Sequence, residues 1–190
     1  MNNKNLQIVR ESFGKVVYTH KTHEKDAEIW NCRSNIIKWI NISLTALTSG
    51  TLVSTFFANQ PILIYVSSGL SFLVLFFLIF QISFNPDEMV EKHKNIAKEL
   101  WYIKEKYLSL ISDIMSESIG DEAAIIRRDN LIDELKMIYK FSPETSGRAY
   151  KKARKVLKID EESTFSDAEI DMFLPSSLKI SSDKKYERLD

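Results

Sequence analysis

The chain has 190 residues, with 26 basic and 26 acidic side chains and a single cysteine. The balanced charge excludes a global electrostatic attraction to nucleic acid, and one cysteine excludes an intramolecular disulfide. Between Trp39 and Pro86 the sequence contains no Lys, Arg, Asp, Glu or His. A membrane-spanning helix needs roughly 20 mainly apolar residues, so this stretch predicts two spans joined by a short turn.

Residues 1–35 are predicted to form a cytoplasmic helix that leads into the membrane. Positions suited to one helix face recur every three or four residues. They are Leu6, Val9, Phe13, Val16, His20, His23, Ala27 and Trp30. His20 and His23 could ligate a metal, but two ligands without a third make a weak site, so we favour two polar residues in a loosely packed face. Cys32 could carry a lipid, although a small core residue is the simpler interpretation.

The uncharged stretch predicts a transmembrane hairpin over residues 36–84. Its spans are assigned to 36–58 and 62–84, and the turn to 59–61, where the sequence Asn-Gln-Pro interrupts the apolar pattern. Basic residues flank the hairpin on both sides, and none lies in the turn. The positive-inside rule therefore places both termini in the cytoplasm.

Span one is the less apolar of the two and carries a polar arc. On a helix that turns roughly 100° per residue, five of its polar side chains share one side. The polar arc consists of Asn41, Thr45, Thr48, Thr51 and Thr55. Two interpretations remain open. Either the hydroxyls bond to their own helix and cost little in lipid, or several copies turn their arcs inward and line an aqueous pore.

Small residues on the opposite side of span one are predicted to pack the hairpin. Small side chains at intervals of four let two helices approach closely in a membrane. The small face of span one consists of Ala46, Gly50 and Ser54, and span two offers Ser67 and Ser71. We therefore predict that the small face forms the seam between the spans and that the polar arc points away from it.

A long cytoplasmic helix is predicted over residues 86–115. Asn85 can cap it, Pro86 suits its first turn, and Asp87 and Glu88 complement its dipole. A heptad pattern follows at Met89, His93, Ile96, Leu100, Ile103, Tyr107, Leu110 and Ile114. Because this helix and the N-terminal one meet the membrane on the same side, they should run antiparallel.

Smaller helices are predicted over residues 121–175, followed by a disordered tail over 176–190. One of the helices is predicted to begin at 142–144 and to end near Lys158. Its basic face offers candidate contacts to an anionic ligand, at Arg148, Lys151, Lys152 and Lys155. Such faces are more often simply solvated. The predicted fold class is an all-α integral membrane protein, in which a two-helix transmembrane hairpin continues into long antiparallel cytoplasmic helices and smaller C-terminal helices.

The sequence contains no recognisable catalytic motif. It has no P-loop, no glycine-rich dinucleotide loop, no CxxC, no HExxH and no nucleophile elbow. We therefore predict no catalytic, cofactor-binding or metal-binding residue and no cofactor, and we do not expect an enzyme.

Two stretches carry a resemblance to a known family. They are EIWNCRSNIIKWINISLTALTSGTL at 28–52 and SPETSGRAYKKARKVLKIDEESTFSDAEIDMFLP at 142–175. With the layout of a helix, two closely linked spans and a long helix, they resemble the SLATT family of bacterial conflict-system proteins. That name denotes a two-helix membrane effector domain found beside SMODS nucleotidyltransferases and SLOG sensor domains.

The resemblance implies a function, although it assigns no particular residue. SLATT proteins are regarded as effectors of anti-phage defence that oligomerise and permeabilise the bacterial inner membrane, causing cell death. The implied partners are the lipid bilayer, further copies of the chain, and a separate sensor protein or a nucleotide made by a nucleotidyltransferase, with no nucleic acid. The alternative is a non-conducting oligomeric membrane scaffold that recruits a cytoplasmic signalling partner.

Overall fold

The computed structural model describes residues 3–58, 60–157 and 167–180. Within these ranges the chain forms α-helices and one 3₁₀ helix, and no strand. The helices are α1 (Asn3–Ala58), α2 (Pro61–Phe84), α3 (Pro86–Met115), α4 (Asp121–Phe141), α5 (Gly147–Leu157) and α6 (Asp167–Phe173), followed by the 3₁₀ helix Ser176–Leu178. The predicted all-α fold class is therefore confirmed.

Helix α1 is unbroken from Asn3 to Ala58, so the predicted cytoplasmic helix and span one belong to a single element. No proline lies within it to remove a helical hydrogen bond. Helix α2 begins at Pro61, a residue predicted in the turn, because proline lacks an amide proton and suits the first helical position. Asn59 of the predicted turn lies outside the described residues.

Only one residue, Asn85, separates α2 from α3. Its backbone adopts the left-handed conformation, with φ 33° and ψ 65°. Asparagine tolerates this conformation better than most residues with a side chain. Its amide nitrogen bonds to Gln81 O at 2.9 Å and ends α2, and its side-chain oxygen accepts a hydrogen bond from Glu88 N at 3.3 Å in the first turn of α3.

The chain divides into two compact units. The core unit consists of Met1–Asp26 and Lys92–Asp190, and the hairpin unit consists of Ala27–Glu91. In the core unit, apolar side chains of α1 and α3 at intervals of three and four pack into one cluster. Its members on these helices include Leu6, Val9, Phe13, Val16, Leu100, Ile103, Tyr107, Leu110 and Ile114. Helix α4 adds Ala124 and Leu131, and Ile170 and Leu174 come from the C-terminal segment.

Two boundaries in the C-terminal part of the core unit differ from the predicted ones. Helix α5 begins at Gly147 and not at 142–144, because Ser146 is its N-cap: the Ser146 hydroxyl oxygen accepts a hydrogen bond from Ala149 N at 3.2 Å. The beginning of the predicted disordered tail is ordered, since Ser176–Leu178 forms a 3₁₀ helix and Leu178 and Ile180 pack against the core. Residues 158–166 and 181–190 lie outside the described ranges.

In the hairpin unit the large apolar side chains face outward. Trp39, Ile42, Phe57, Phe72 and Ile82 are each more than half exposed. Two helical stretches, Lys4–Thr55 and Pro61–Met115, contain segments long and apolar enough to cross a membrane, and only 6% of either segment is buried inside the protein. A core helix of a water-soluble protein would be mostly buried, so the exposure of these apolar segments supports a location in a membrane.

Candidate functional site

Polar contacts join the two sides of the hairpin unit. The hydroxyl oxygens of Thr51 and Ser67 lie 2.8 Å apart. Asn41 Nδ2 donates to Gln81 Oε1 at 3.1 Å, and Ser34 Oγ donates to Asp87 Oδ1 at 2.6 Å. The residues pair in opposite chain order, so the two sides run antiparallel. These contacts define the seam between the spans.

The seam lies on the polar arc, and the predicted seam on the small face is wrong. Ala46, Gly50 and Ser54 are exposed. Apart from the neighbouring residues and backbone of its own helix, no described atom lies within 4 Å of the position that a Cβ on Gly50 would occupy. Asn41 and Thr51, predicted to point away, contact span two. Hydrogen-bonding groups in a low-dielectric region are stabilised by facing one another, and this preference outweighs close approach of the backbones.

The remaining predicted hairpin residues are distributed around this seam. Ser67 is buried in it, whereas Ser71 is exposed. The threonine hydroxyls also bond to carbonyl oxygens one turn earlier in their own helix, at 2.8 Å for Thr45, 2.7 Å for Thr48 and 2.6 Å for Thr55. The hydroxyls of Thr45, Thr48, Thr51 and Thr55 are thus satisfied within one chain, by their own helix and, for Thr51, also by span two. Asn41 Oδ1, in contrast, is a buried atom without a hydrogen-bond partner in the described part of the chain.

The end of the hairpin opposite its turn carries a charged contact. Lys38 Nζ donates to the Asp87 carboxylate at 2.9 Å. The hydrogen bonds from Ser34 and Lys38 hold the pKa of Asp87 below its ordinary value. Asp87 therefore remains an anion where α3 begins, and it neutralises the last charge before the uncharged stretch.

A second group of polar side chains lies inside the core unit. We call it the histidine cluster; its members are His23, His93, Asp26, Ser142 and Ser146. His23 Nδ1 and His93 Nδ1 lie 2.9 Å apart, and Ser142 Oγ lies 3.1 Å from His23 Nε2. His23, His93 and Asp26 are almost fully buried. The cluster therefore places ring nitrogens from α1 and α3 in a desolvated contact.

The histidine pair is held in the neutral form. Burial, and secondarily the neighbouring His93, lower the pKa of His23 from 6.5 to about 4. Burial likewise lowers the pKa of His93, opposed by Asp26. A contact of 2.9 Å between two ring nitrogens requires one N–H and one lone pair. If His93 donates, His23 Nε2–H can donate to Ser142. His93 Nε2 is then one of the buried atoms without a hydrogen-bond partner in the described part of the chain.

Asp26 fixes the start of α5 from a distant part of the chain. Its two carboxylate oxygens accept hydrogen bonds from Ser146, at 2.9 Å from the backbone nitrogen and at 2.6 Å from the hydroxyl. Because Ser146 caps α5 in turn, a carboxylate on α1 determines where α5 begins. Tyr18 and Tyr150 add a T-shaped ring contact with centroids 5.2 Å apart.

A buried ion pair attaches the C-terminal segment to α1. Arg10 Nη2 lies 2.6 Å from Asp171 Oδ1, and the two side chains are 0% and 5% exposed. Arg10 Nη1 also donates to Leu178 O at 3.0 Å, and Ile180 N donates to Asp171 at 3.3 Å. The stretch FSDAEIDMFLP thus contains the carboxylate that holds this segment in place.

The structure separates several residues that the sequence grouped together. His20 does not join His23 in a pair; it lies 3.8 Å from Glu24. In the described part of the chain, no three His, Cys, Asp or Glu side chains are placed to hold a metal ion. Cys32 is exposed, so its interpretation as a core residue is wrong. The basic residues of α5, Arg148, Lys151, Lys152 and Lys155, are exposed on the face opposite its buried alanines.

Sequence reasoning missed Arg10, Asp26, His93 and Asp171 as structural partners. Arg10 follows Leu6 by four residues on the apolar face of α1, and a charge at such a position was the available signal. His93 stood out as the one polar residue in the heptad pattern. Neither signal identifies the partner, because the contacts join residues that are 70 or more positions apart.

Comparison with known proteins adds one finding. A family model described as SMODS and SLOG-associating 2TM effector domain family 4 matches residues 6–169. No curated protein and no solved structure matches the chain significantly. The match includes most of α1 and all of α2, α3, α4 and α5.

Proposed function

Since this chain belongs to family 4 of the SMODS and SLOG-associating 2TM effector domains, we propose that it permeabilises the bacterial inner membrane by oligomerising when it is activated. Cell death would then stop the spread of an infecting phage. Both termini are proposed to lie in the cytoplasm, where basic residues flank the hairpin. The activating signal is proposed to be a separate sensor protein or a nucleotide, the two kinds of partner that the family name indicates.

One observation carries this proposal: the polar arc of span one is held by few and weak contacts to span two. Within the membrane these contacts are Asn41 with Gln81 and Thr51 with Ser67. Hydrogen bonds between membrane helices stabilise by about 0.6 kcal/mol each, so the two together amount to about 1 kcal/mol. Packing against further copies can offset such a sum, and the population can then shift to an assembly in which the arcs face water.

The outer surface of the hairpin supports the same assembly. The small residues Ala46, Gly50 and Ser54 are exposed on the outside of the hairpin. Small residues at intervals of four suit close packing between membrane helices. No charged residue lies between Trp39 and Pro86, so we propose a passive pore and neither a proton relay nor an ion-coupled transporter.

The test is membrane leakage. Purified protein is reconstituted into liposomes that contain a self-quenched dye, at increasing protein-to-lipid ratios, and depolarisation is followed in cells that overproduce the protein. We expect leakage that rises more steeply than linearly with protein density, because several copies form one pore. A protein that crosslinks into oligomers but releases no dye would be a scaffold, and the proposal would be wrong.

Matched variants test which residues line the pore. The variant Asn41→Leu with Thr48→Val and Thr51→Val removes polar groups from the arc and should reduce leakage strongly. The control Ser43→Ala with Ser49→Ala and Ser68→Ala removes three hydroxyls that lie outside the arc and should leak like the unchanged protein. Equal leakage from both variants would show that the arc does not line the pore.

A further inference from the structure

The hairpin unit contains an apolar groove at the end opposite its turn. The groove has a volume of about 430 Å³, and its lining consists of Trp30, Arg33, Ile36, Ile37, Phe80, Phe84 and Pro86. This volume lies in the range of about 300–1,000 Å³ that small-molecule sites occupy. Phe80 and Phe84 stack with ring centroids 4.5 Å apart and form one wall.

A single cation is part of this apolar lining. The guanidinium carbon of Arg33 lies 4.8 Å from the centroid of the Trp30 ring, a distance at which the ring stabilises the charge. The other nearby cation, Lys38, is neutralised by Asp87 at 2.9 Å. A planar guanidinium oriented by an aromatic ring is suited to bidentate contact with a phosphate group.

The groove lies at the depth where lipid headgroups meet the hydrocarbon. Arg33 precedes Ile36, the first residue of the predicted span one, by three positions, which is about 4.5 Å along a helix. The headgroup region on each side of a bilayer is roughly 5–8 Å thick. Ile36 and Phe84 continue the groove toward the lipid-facing spans and are 54% and 63% exposed.

We propose that this groove binds one anionic phospholipid of the adjoining leaflet. The phosphate contacts Arg33, and one acyl chain lies along Ile36, Ile37, Phe80 and Phe84. A soluble anion would satisfy Arg33 but leave the apolar walls uncovered, whereas a neutral lipid would fill the walls without a net negative charge for the cation. Basic pockets between membrane helices at this depth select anionic headgroups by the same chemistry.

Tryptophan quenching by brominated lipids tests the proposal. Exposed Trp39 and Trp101 are replaced by phenylalanine, so that Trp30 is the single fluorophore. The full chain is reconstituted into vesicles of fixed phosphatidylglycerol and phosphatidylcholine content, with bromine on the acyl chains of one lipid or of the other. We expect phosphatidylglycerol to occupy the groove with a roughly five-fold preference over phosphatidylcholine. This factor is the selectivity for an anionic lipid that one cation near the membrane surface provides.

Two variants with the same loss of charge separate a site from a diffuse attraction. Arg33→Gln should abolish the preference, and Lys38→Gln should retain it, because Lys38 does not line the groove. Equal quenching by the two lipids in the parent protein overturns the proposal, and so does loss of the preference in Lys38→Gln. Displacement of the brominated lipid by inorganic phosphate would show a site for free anions, which also overturns it. None of these outcomes depends on whether the protein forms a pore.

Discussion

The core unit and the hairpin unit share the long helices α1 and α3, but they bury opposite kinds of side chain. The core unit encloses its apolar side chains and pairs buried polar groups across long stretches of sequence, as in Arg10 with Asp171 and Asp26 with Ser146. The hairpin unit exposes its apolar side chains and encloses polar ones, and most of its hydroxyls bond to their own helix.

This difference indicates which unit can change conformation. In water, burial of apolar surface drives packing, and a buried charge without its partner is costly. In lipid, apolar contacts between helices gain little over contacts with acyl chains, and a polar seam contributes only small increments. We therefore expect the core unit to remain intact while the hairpin rearranges.

The largest effect should follow from breaking the buried ion pair. Arg10→Met leaves Asp171 as a buried charge with one fewer partner and should lower the free energy of unfolding by about 3–5 kcal/mol. The double variant Arg10→Met with Asp171→Leu should recover most of this loss, because no isolated charge remains. Denaturant unfolding of the full chain in detergent, followed by circular dichroism, measures both. If Arg10→Met lowered the free energy of unfolding by less than about 1 kcal/mol, the value of an exposed ion pair, the core unit would not depend on its buried pair as we infer.

Removal of the carboxylate that fixes α5 should have a smaller effect. Asp26→Ala leaves the Ser146 amide and hydroxyl without an acceptor and should cost about 1–3 kcal/mol. Asp129→Ala is the matched control, since Asp129 is 57% exposed in its pair with Arg128 and should cost less than about 1 kcal/mol. Hydrogen exchange should also show loss of protection in α5 for Asp26→Ala alone.

Acidification should weaken the core unit through its histidines. Because burial lowers the pKa of His23 from 6.5 to about 4 in the folded protein, the unfolded chain binds the proton first. The stability is fully present above pH 6.5 and falls as the pH decreases from about 6.5 toward 4. His93 acts in the same direction.

The pH dependence of the unfolding midpoint checks this sign. The double variant His23→Leu with His93→Leu should flatten the dependence over that window. His20→Gln should flatten it much less, because His20 is only partly buried beside Glu24. A stability that increased on acidification would show that the pair carries a proton in the folded state.

The smallest effect is expected in the hairpin seam. Thr51→Val removes the contact with Ser67 and should destabilise the hairpin by about 0.6 kcal/mol. Thr45→Val, which removes a hydroxyl bonded only to Asn41 O in its own helix, should be neutral within error. The two variants are unfolded in mixed micelles that contain an increasing fraction of a denaturing detergent, a measurement that resolves such differences. If Thr51→Val lowered the stability as much as Arg10→Met does, the polar contacts of the hairpin unit would not be weaker than those of the core unit, and our inference would be wrong.

Much of the fold could be predicted because the membrane permits few structures. A long stretch without charge, between Lys38 and Asp87, has to form helices that satisfy their own backbone groups. Asn85 and Pro86 carry a local signal for a break between helices. The side of span one that meets span two was not predictable, because the polar arc and the small face are both plausible seams by spacing alone. Which side forms the seam depends on whether particular groups, such as Asn41 and Gln81, lie opposite each other. That can be judged only when the register of the two helices is known.

The histidine cluster could not be predicted for a related reason. His23 and His93 are each an ordinary interruption of an apolar pattern, and only the antiparallel pairing of α1 with α3 brings their Nδ1 atoms within 2.9 Å. Asp26 gave no signal, because a carboxylate on a helix normally faces solvent. Its role depends on Ser146, which is 120 residues away.

The junction at Asn85 has a mechanical consequence. Helix α1 is continuous beside it, at Ser34, so a change in direction there would require helical hydrogen bonds to break. A rotation about the Asn85 backbone breaks no hydrogen bond within α2 or α3, because α2 has ended and α3 has just begun; it disturbs only the bonds of the Asn85 side chain to Glu88. We therefore expect a tilt of span two to change mainly the φ and ψ angles of Asn85. Glycine at this position should make such a tilt easier, and a β-branched residue should hinder it or distort the junction.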